Sequence, residues 1–149
     1  VVATNVAGSV TSSAAVVTVN TSRIVNLAIR SNLAAGGSLT VGFVVAGSGK
    51  PLLVRAVGPG LTAFGVGGVV TDPRLELFDG ASRSIGSNDN WGGTAALGAA
   101  FTAVGAFGLE AASKDAALVA TLQPGSYSVQ VSGVAGVMGS ALVEVYEVP

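Results

Sequence analysis

Short alternations of apolar and polar residues run through the chain, each broken after a few positions by glycine, proline or asparagine, and a period of two is the mark of half-buried strands. Near the N-terminus Val2, Thr4 and Val6 alternate up to the Asn5–Gly8 region. Val10, Ser12, Ala14 and Val16 alternate after it, which predicts two strands with a turn between them. Asn20-Thr21-Ser22 is a polar break. Residues 23–33 predict a strand with Val25, Leu27 and Ile29 on one face and Asn26 and Arg30 on the other. After the turn at Ala35-Gly36-Gly37-Ser38, the positions Leu39, Val41, Phe43 and Val45 repeat the pattern up to Gly47-Ser48-Gly49. Residues 50–57 are almost apolar on both faces (Leu52, Leu53, Val54 and Val57) except for Arg55, which predicts a strand in the middle of a sandwich.

Gly58-Pro59-Gly60 ends that strand, because proline cannot donate to a ladder and glycine tolerates turns. Residues 61–71 read as a loop of glycine and valine. Leu75 and Leu77 alternate with Arg74 and Glu76 in a short strand closed by Asp79-Gly80, with residues 83–87 as its hairpin partner. Residues 94–106 predict the one helix, from the spacing of Leu97, Ala100, Phe101 and Val104. Residues 116–122 predict a strand, Gln123-Pro124-Gly125 a tight turn, and Tyr127, Val129 and Val131 the strand that follows. Ala141, Val143 and Val145 alternate with Glu144 and Tyr146 in the closing strand. About nine strands with one short helix predict an all-β fold: an antiparallel β-sandwich or jelly roll carrying an N-terminal β-hairpin arm.

Composition narrows the function. Charged residues make up 10% of the 149-residue chain, against about 25% in an ordinary soluble domain. A mean hydropathy of +0.68 would suit a membrane protein. The apolar residues are nevertheless dispersed among glycines, as in residues 90–109, and form no stretch of roughly 20 apolar residues rich in Leu, Ile or Phe. The chain is therefore expected to hide apolar surface against protein, with no membrane span. Seven basic and eight acidic residues without a cluster exclude a nucleic-acid footprint. Cysteine is absent, and with it disulfide and thiolate chemistry. Histidine is absent too, which removes the commonest general base and metal ligand at neutral pH. A chain that begins at Val1 rather than Met is expected to be a processed product or part of a longer protein.

The blocks DPRLELFD (residues 72–79), SNDNWGG (87–93), LQPGSYSVQVSG (122–133) and ALVEVYE (141–147) resemble the bacterial pre-peptidase C-terminal domain. That resemblance covers roughly half of the chain. It implies a small extracellular β-sandwich at the end of a secreted enzyme or surface protein. The apolar stretch between Trp91 and Lys114, and LLVRAVGPGL (52–61), depart from the family pattern. Taken whole, residues 23–147 look closer to an uncharacterised repeat-associated module at the C-termini of large bacterial surface proteins. The arm ATNVAGSVTSSAAVVTV (3–19) is similar to the last two strands of bacterial immunoglobulin-like domains. Such a sandwich needs about seven strands, so two of them are not a domain. The expected division is an arm at residues 1–19, a linker at 20–22 and a sandwich at 23–149.

An isolated two-stranded hairpin is marginal in water, so the arm must pair with something. It either packs on its own module or adds to the sheet of a neighbouring molecule by β-augmentation. No Lys, Arg or Pro guards the edge between Val1 and Ser22. Head-to-tail strand donation does not close on itself and yields a filament of identical subunits. The positions assigned to assembly are Val2, Thr4, Val6, Val10, Ala14, Val16, Val17 and Val19. The expected function is thus a structural subunit of an extracellular or cell-surface bacterial fibre. The alternative is a monomeric C-terminal accessory module of a secreted enzyme or adhesin, serving in carbohydrate binding or export.

Other candidate chemistry is sparse. Asp79, Asn88, Asp89 and Asn90 carry the oxygen ligands that calcium takes, while Asn-Asp-Asn also reads as a turn bonding its own backbone. Trp91, the only tryptophan, can stack on a sugar or cap a core. Serine lacks an activating histidine, and neither Lys50 nor Lys114 sits in a Ser-Lys motif. Asp72, Glu76, Asp79, Asp89, Glu110, Asp115, Glu144 and Glu147 supply carboxylates for glycoside hydrolysis in principle, but most read as solvent-facing strand positions. The expectation is therefore no enzyme and no cofactor beyond calcium. Arg55, in an apolar strand, needs a carboxylate partner such as Asp115 or Asp72.

Overall fold

The computed structural model describes residues 2–11, 13 and 23–149. The leading alternation forms β1 (Val2–Asn5) and β2 (Gly8–Thr11), antiparallel to each other and paired with neither of the larger sheets. The turn between them is set by Asn5, whose Oδ1 accepts the Ala7 N–H at 2.9 Å. Val2, Val6 and Val10 are exposed on this hairpin. Thr4 is exposed as well, whereas Ala14, Val16, Val17 and Val19 lie outside the described residues.

The remaining strands are β3 (Asn26–Leu33), β4 (Ser38–Val45), β5 (Lys50–Val57), β6 (Pro73–Asp79), β7 (Ser84–Asn88), β8 (Ala116–Leu122), β9 (Gly125–Gly133) and β10 (Gly139–Glu147). One sheet has the order β3-β10-β5-β8 and the other β4-β9-β6-β7, with every pair antiparallel. The pairs nest. Around the β6–β7 hairpin, β5 pairs with β8, β4 with β9 and β3 with β10, alternately in the two sheets. This is a jelly roll.

Period-two patterning fills the space between the sheets. Leu33, Val41, Val45, Leu75, Leu77, Val129, Val131, Ala141, Val143 and Val145 all join one core, with Leu27, Leu39, Phe43 and Tyr127 packed at its margin. β5 lies between β10 and β8 and is buried from Leu52 to Val57, as its two apolar faces require. Its outward face needs a second layer. Leu53, Val57 and Tyr146 meet Leu61, Trp91, Phe101 and Leu109 in an outer core beneath α1 (Ala95–Ala103) and the flanking loops. Thr94 caps α1 by accepting the Leu97 N–H at 3.4 Å.

The segment read as a plain loop contains a 3-10 helix, Pro59–Phe64, with proline in its first turn and Gly65 left-handed at its end. Gly58 before it is required by close approach. A Cβ there would stand 1.9 Å from the Val70 carbonyl oxygen. Among the described residues no helix is long and apolar enough to cross a membrane.

Candidate functional site

The two open sides of the sandwich are built differently. On one, the edge strands β7 and β8 are tied together: the Ala117 N–H donates to Asn88 Oδ1 at 3.0 Å. On the other, β3 and β4 leave a groove of about 430 Å³. Leu27, Phe43, Val45, Leu52 and Val145 line it. Phe43 is held by stacking on Tyr127, ring centroids 5.9 Å apart. Ile24 and Val44 beside the groove are 81% and 72% exposed. Both bounding strands are sheet edges, so among the described residues their outward backbone donors and acceptors have no strand partner.

One end of the groove is fixed by charge. Arg23 donates from Nε and Nη2 to the two Glu147 oxygens, each at 2.8 Å, and Lys50 Nζ donates to Oε1 at 3.0 Å. These bonds, Arg23 first and Lys50 second, hold the Glu147 carboxyl down at about 2. The Glu147 N–H also donates to the Val25 carbonyl at 2.9 Å, which carries the β3–β10 pairing past the end of the named ladder.

Arg55 does not pair with Asp115 or Asp72. Its Nε lies 3.0 Å from Glu144 Oε2, directly across the β5–β10 ladder. That contact is ionic rather than an aligned hydrogen bond. Its Nη1 donates to the Phe107 carbonyl at 2.7 Å, and the guanidinium sits 4.7 Å from the Phe101 ring centre and 4.4 Å from that of Phe107. Burial pushes the Arg55 guanidinium down, opposed by the nearby charge of Glu144. Tyr146 donates to Glu144 Oε1 at 2.6 Å. Burial, and then that bond, push its phenol up to about 12.

Asp115 has a different task. Its carboxylate accepts the Gly58 N–H at 2.7 Å, the Gly60 N–H at 3.0 Å and the Ser113 hydroxyl at 2.7 Å, fixing the end of β5 to the start of β8. Asp72 pairs with Lys114. Asp115 and Glu144 are therefore buried, the two exceptions to the expectation that most of the carboxylates face solvent. Strand parity put Glu144 on the outward face, and the outer core covers that face.

The oxygen-rich residues are dispersed. Asp79 Oδ1 accepts the N–H groups of Ala81 and Arg83, and Oδ2 accepts Arg83 Nε at 2.8 Å, so its own turn uses the carboxylate. Backbone and side-chain bonds from Arg83 hold that carboxyl below its ordinary value. Asn88 lies opposite Leu75, at the other end of the β6–β7 ladder, about 13 Å away at strand spacing. Its amide donates to the Asn90 carbonyl at 3.0 Å, while Asp89 and Asn90 are exposed. Asp79 is thus not brought together with the other three. Among the described residues no three acidic side chains converge as a metal site.

Trp91 is buried. Its Nε1 donates to the Glu110 carbonyl at 3.0 Å, and its ring packs on Phe101 at 5.3 Å, as the core-capping reading expects and sugar stacking does not. The groove itself went unread because its lining residues look like ordinary core positions. The adjacent apolar pair Ile24-Val25 and Val44, standing on the polar phase of its strand, were the signals.

Neither a protein-family model nor a curated protein matches the sequence. Solved structures match the fold. The pre-peptidase C-terminal domain of a collagenase from Bacillus anthracis superposes with a TM-score of 0.51 at 15% identity, covering 81% of this chain and 89% of that one. The Yersinia pseudotuberculosis-derived mitogen gives 0.48 at 9% identity, over 82% and 85%. At such identity the first likeness is one of fold. The chain shares a β-sandwich fold with that domain.

Proposed function

We propose that this chain is a non-catalytic structural module of the bacterial cell surface or exterior, associating through its open β3–β4 side. The observation that carries the reading is the asymmetry of the sandwich. One side is bridged between its edge strands by Asn88, and the other presents two strand edges over an apolar groove. A strand laid there would gain backbone hydrogen bonds from an edge and place alternate side chains over Leu27, Phe43 and Val45.

The occupant proposed is the arm of a second copy. The described hairpin pairs only within itself, its valines are exposed, and it carries no charge to oppose burial. Repetition of that contact gives a head-to-tail filament. The arm would then be the last two strands of an immunoglobulin-like unit put to use as a donor.

The second reading is an accessory module carried by a larger secreted protein, favoured by the fold shared with the collagenase domain. Light scattering and electron microscopy separate the two. The filament reading expects polymers of the intact chain and monomers after deletion of residues 1–19. It also expects Val44→Lys to stop growth and a peptide of residues 1–19 to bind the truncated module. Monomers of the intact chain at every concentration would overturn it in favour of the accessory module.

A further inference from the structure

Six of the seven lysines and arginines lie within 4.0 Å of a carboxylate. Among the described residues Arg30 is the exception. A solvated arginine costs little by itself, so its surroundings decide whether it signifies anything. Arg30 lies across from Leu142 on the outward face of β3, and Asn32, two positions on, shares that face. Neither side chain has a hydrogen-bond partner among the described residues.

Facing them across a mostly polar cleft of about 590 Å³ is the loop that leaves the 3-10 helix. Phe64 is 62% exposed there, yet anchored edge-on against Phe107 with ring centroids 4.8 Å apart. The loop continues through Gly65 and Gly67, where an added Cβ would meet nothing within 4 Å. Bare backbone therefore leaves the aromatic ring accessible from the cleft.

We infer that this cleft binds an acidic sugar, a uronic acid unit of a polysaccharide. The guanidinium fork matches a carboxylate through two parallel hydrogen bonds. The Asn32 amide both donates to and accepts from ring hydroxyls. The anchored Phe64 ring offers an apolar surface to the C–H face of a pyranose. A nucleic acid would call for several cations where the cleft has one. An acidic peptide would use Arg30 but make no comparable use of the ring and the amide together.

The site lies on the outer face of its sheet, apart from the β3–β4 groove, so this proposal and the assembly reading fail separately. The test is titration of the full chain with tetragalacturonate, followed by calorimetry and by amide chemical shifts. Saturable binding is expected, with shifts confined to residues around Arg30, Asn32 and Phe64. Affinity should weaken about tenfold or more in Arg30→Gln and in Phe64→Ala, with the thermal midpoint unchanged in Arg30→Gln, whose side chain is exposed and unpaired among the described residues. Added salt should weaken binding as well. Absence of binding, or equal binding by Arg30→Gln, would overturn the assignment. Equal affinity for the neutral galactose tetramer would remove the acidic specificity. Equal affinity for tetraglutamate would overturn the sugar in favour of a peptide carboxylate.

Discussion

Removing either member of the Arg55–Glu144 pair should be among the most damaging single changes available to this chain. Both are buried, and truncating one leaves an uncompensated charge, which costs about 3–5 kcal/mol. The two truncations should differ. Without Glu144, Arg55 keeps the Phe107 carbonyl and two aromatic faces, and desolvated cation–π contacts are worth about 2 kcal/mol. Without Arg55, Glu144 keeps only the Tyr146 hydroxyl. Glu144→Gln is therefore expected near the lower figure and Arg55→Met near the upper one. At about 2–4 °C per kcal/mol for a chain of this size, Arg55→Met should lower the midpoint by about 10 °C or more.

The double variant Arg55→Met/Glu144→Gln buries no charge and retains an acceptor for Tyr146, so it should cost less than Arg55→Met alone. Urea unfolding followed by the fluorescence of Trp91 measures all four corners at one protein concentration. The probe is suitable because Trp91 packs on Phe101, which also contacts Arg55. Costs in the double variant equal to the sum of the singles would refute the coupling and with it the pair.

Two further outcomes follow from local geometry and charge. Gly58→Ala should destabilise by about 3 kcal/mol, an overpacking cost, because its Cβ would collide with the Val70 carbonyl; a melting curve unchanged from the parent would refute the close approach. The Glu147 carboxyl stands at about 2 when folded against an ordinary 4.5, so its stabilisation is present above about pH 4.5 and is lost as pH falls through 2. Denaturation midpoints between these limits should fall less steeply in Glu147→Gln than in the parent, and parallel curves would contradict the ion cluster.

Most of the fold was legible because jelly-roll strands with one face inward announce themselves by period two. Leu39, Val41, Phe43 and Val45 sit on the inward phase, as do Tyr127, Val129 and Val131. β5 declared its central position by being apolar on both faces. The outer core was the harder part. Its strand positions carry the opposite phase, and Glu144 between Val143 and Val145 looks like any outward acidic residue until α1 and the loop from Ala106 to Leu109 cover it. Arg55 signalled that a partner existed but could not select among eight acidic residues. Selection came from register, since Glu144 and Arg55 are cross-strand neighbours between strands far apart in sequence. The groove stayed hidden for a related reason: whether an edge is open depends on which strands end up outermost.

The scarcity of charge and the open side of the sandwich have a common consequence. Seven basic against eight acidic residues leave a net charge of −1, so little net charge remains to keep copies apart. β4 has no charged residue at all, and the edge it offers lacks the lysines or prolines that ordinarily discourage strand addition. β8 is equally uncharged, but it is tied to β7 through Asn88. A monomer evolved to stay single would be expected to guard β4 rather than leave Ile24 and Val44 in solvent beside an apolar groove. The proposed strand uptake by the β3–β4 side would account for the unprotected edge, the exposed hairpin valines and the near-neutral charge with one contact.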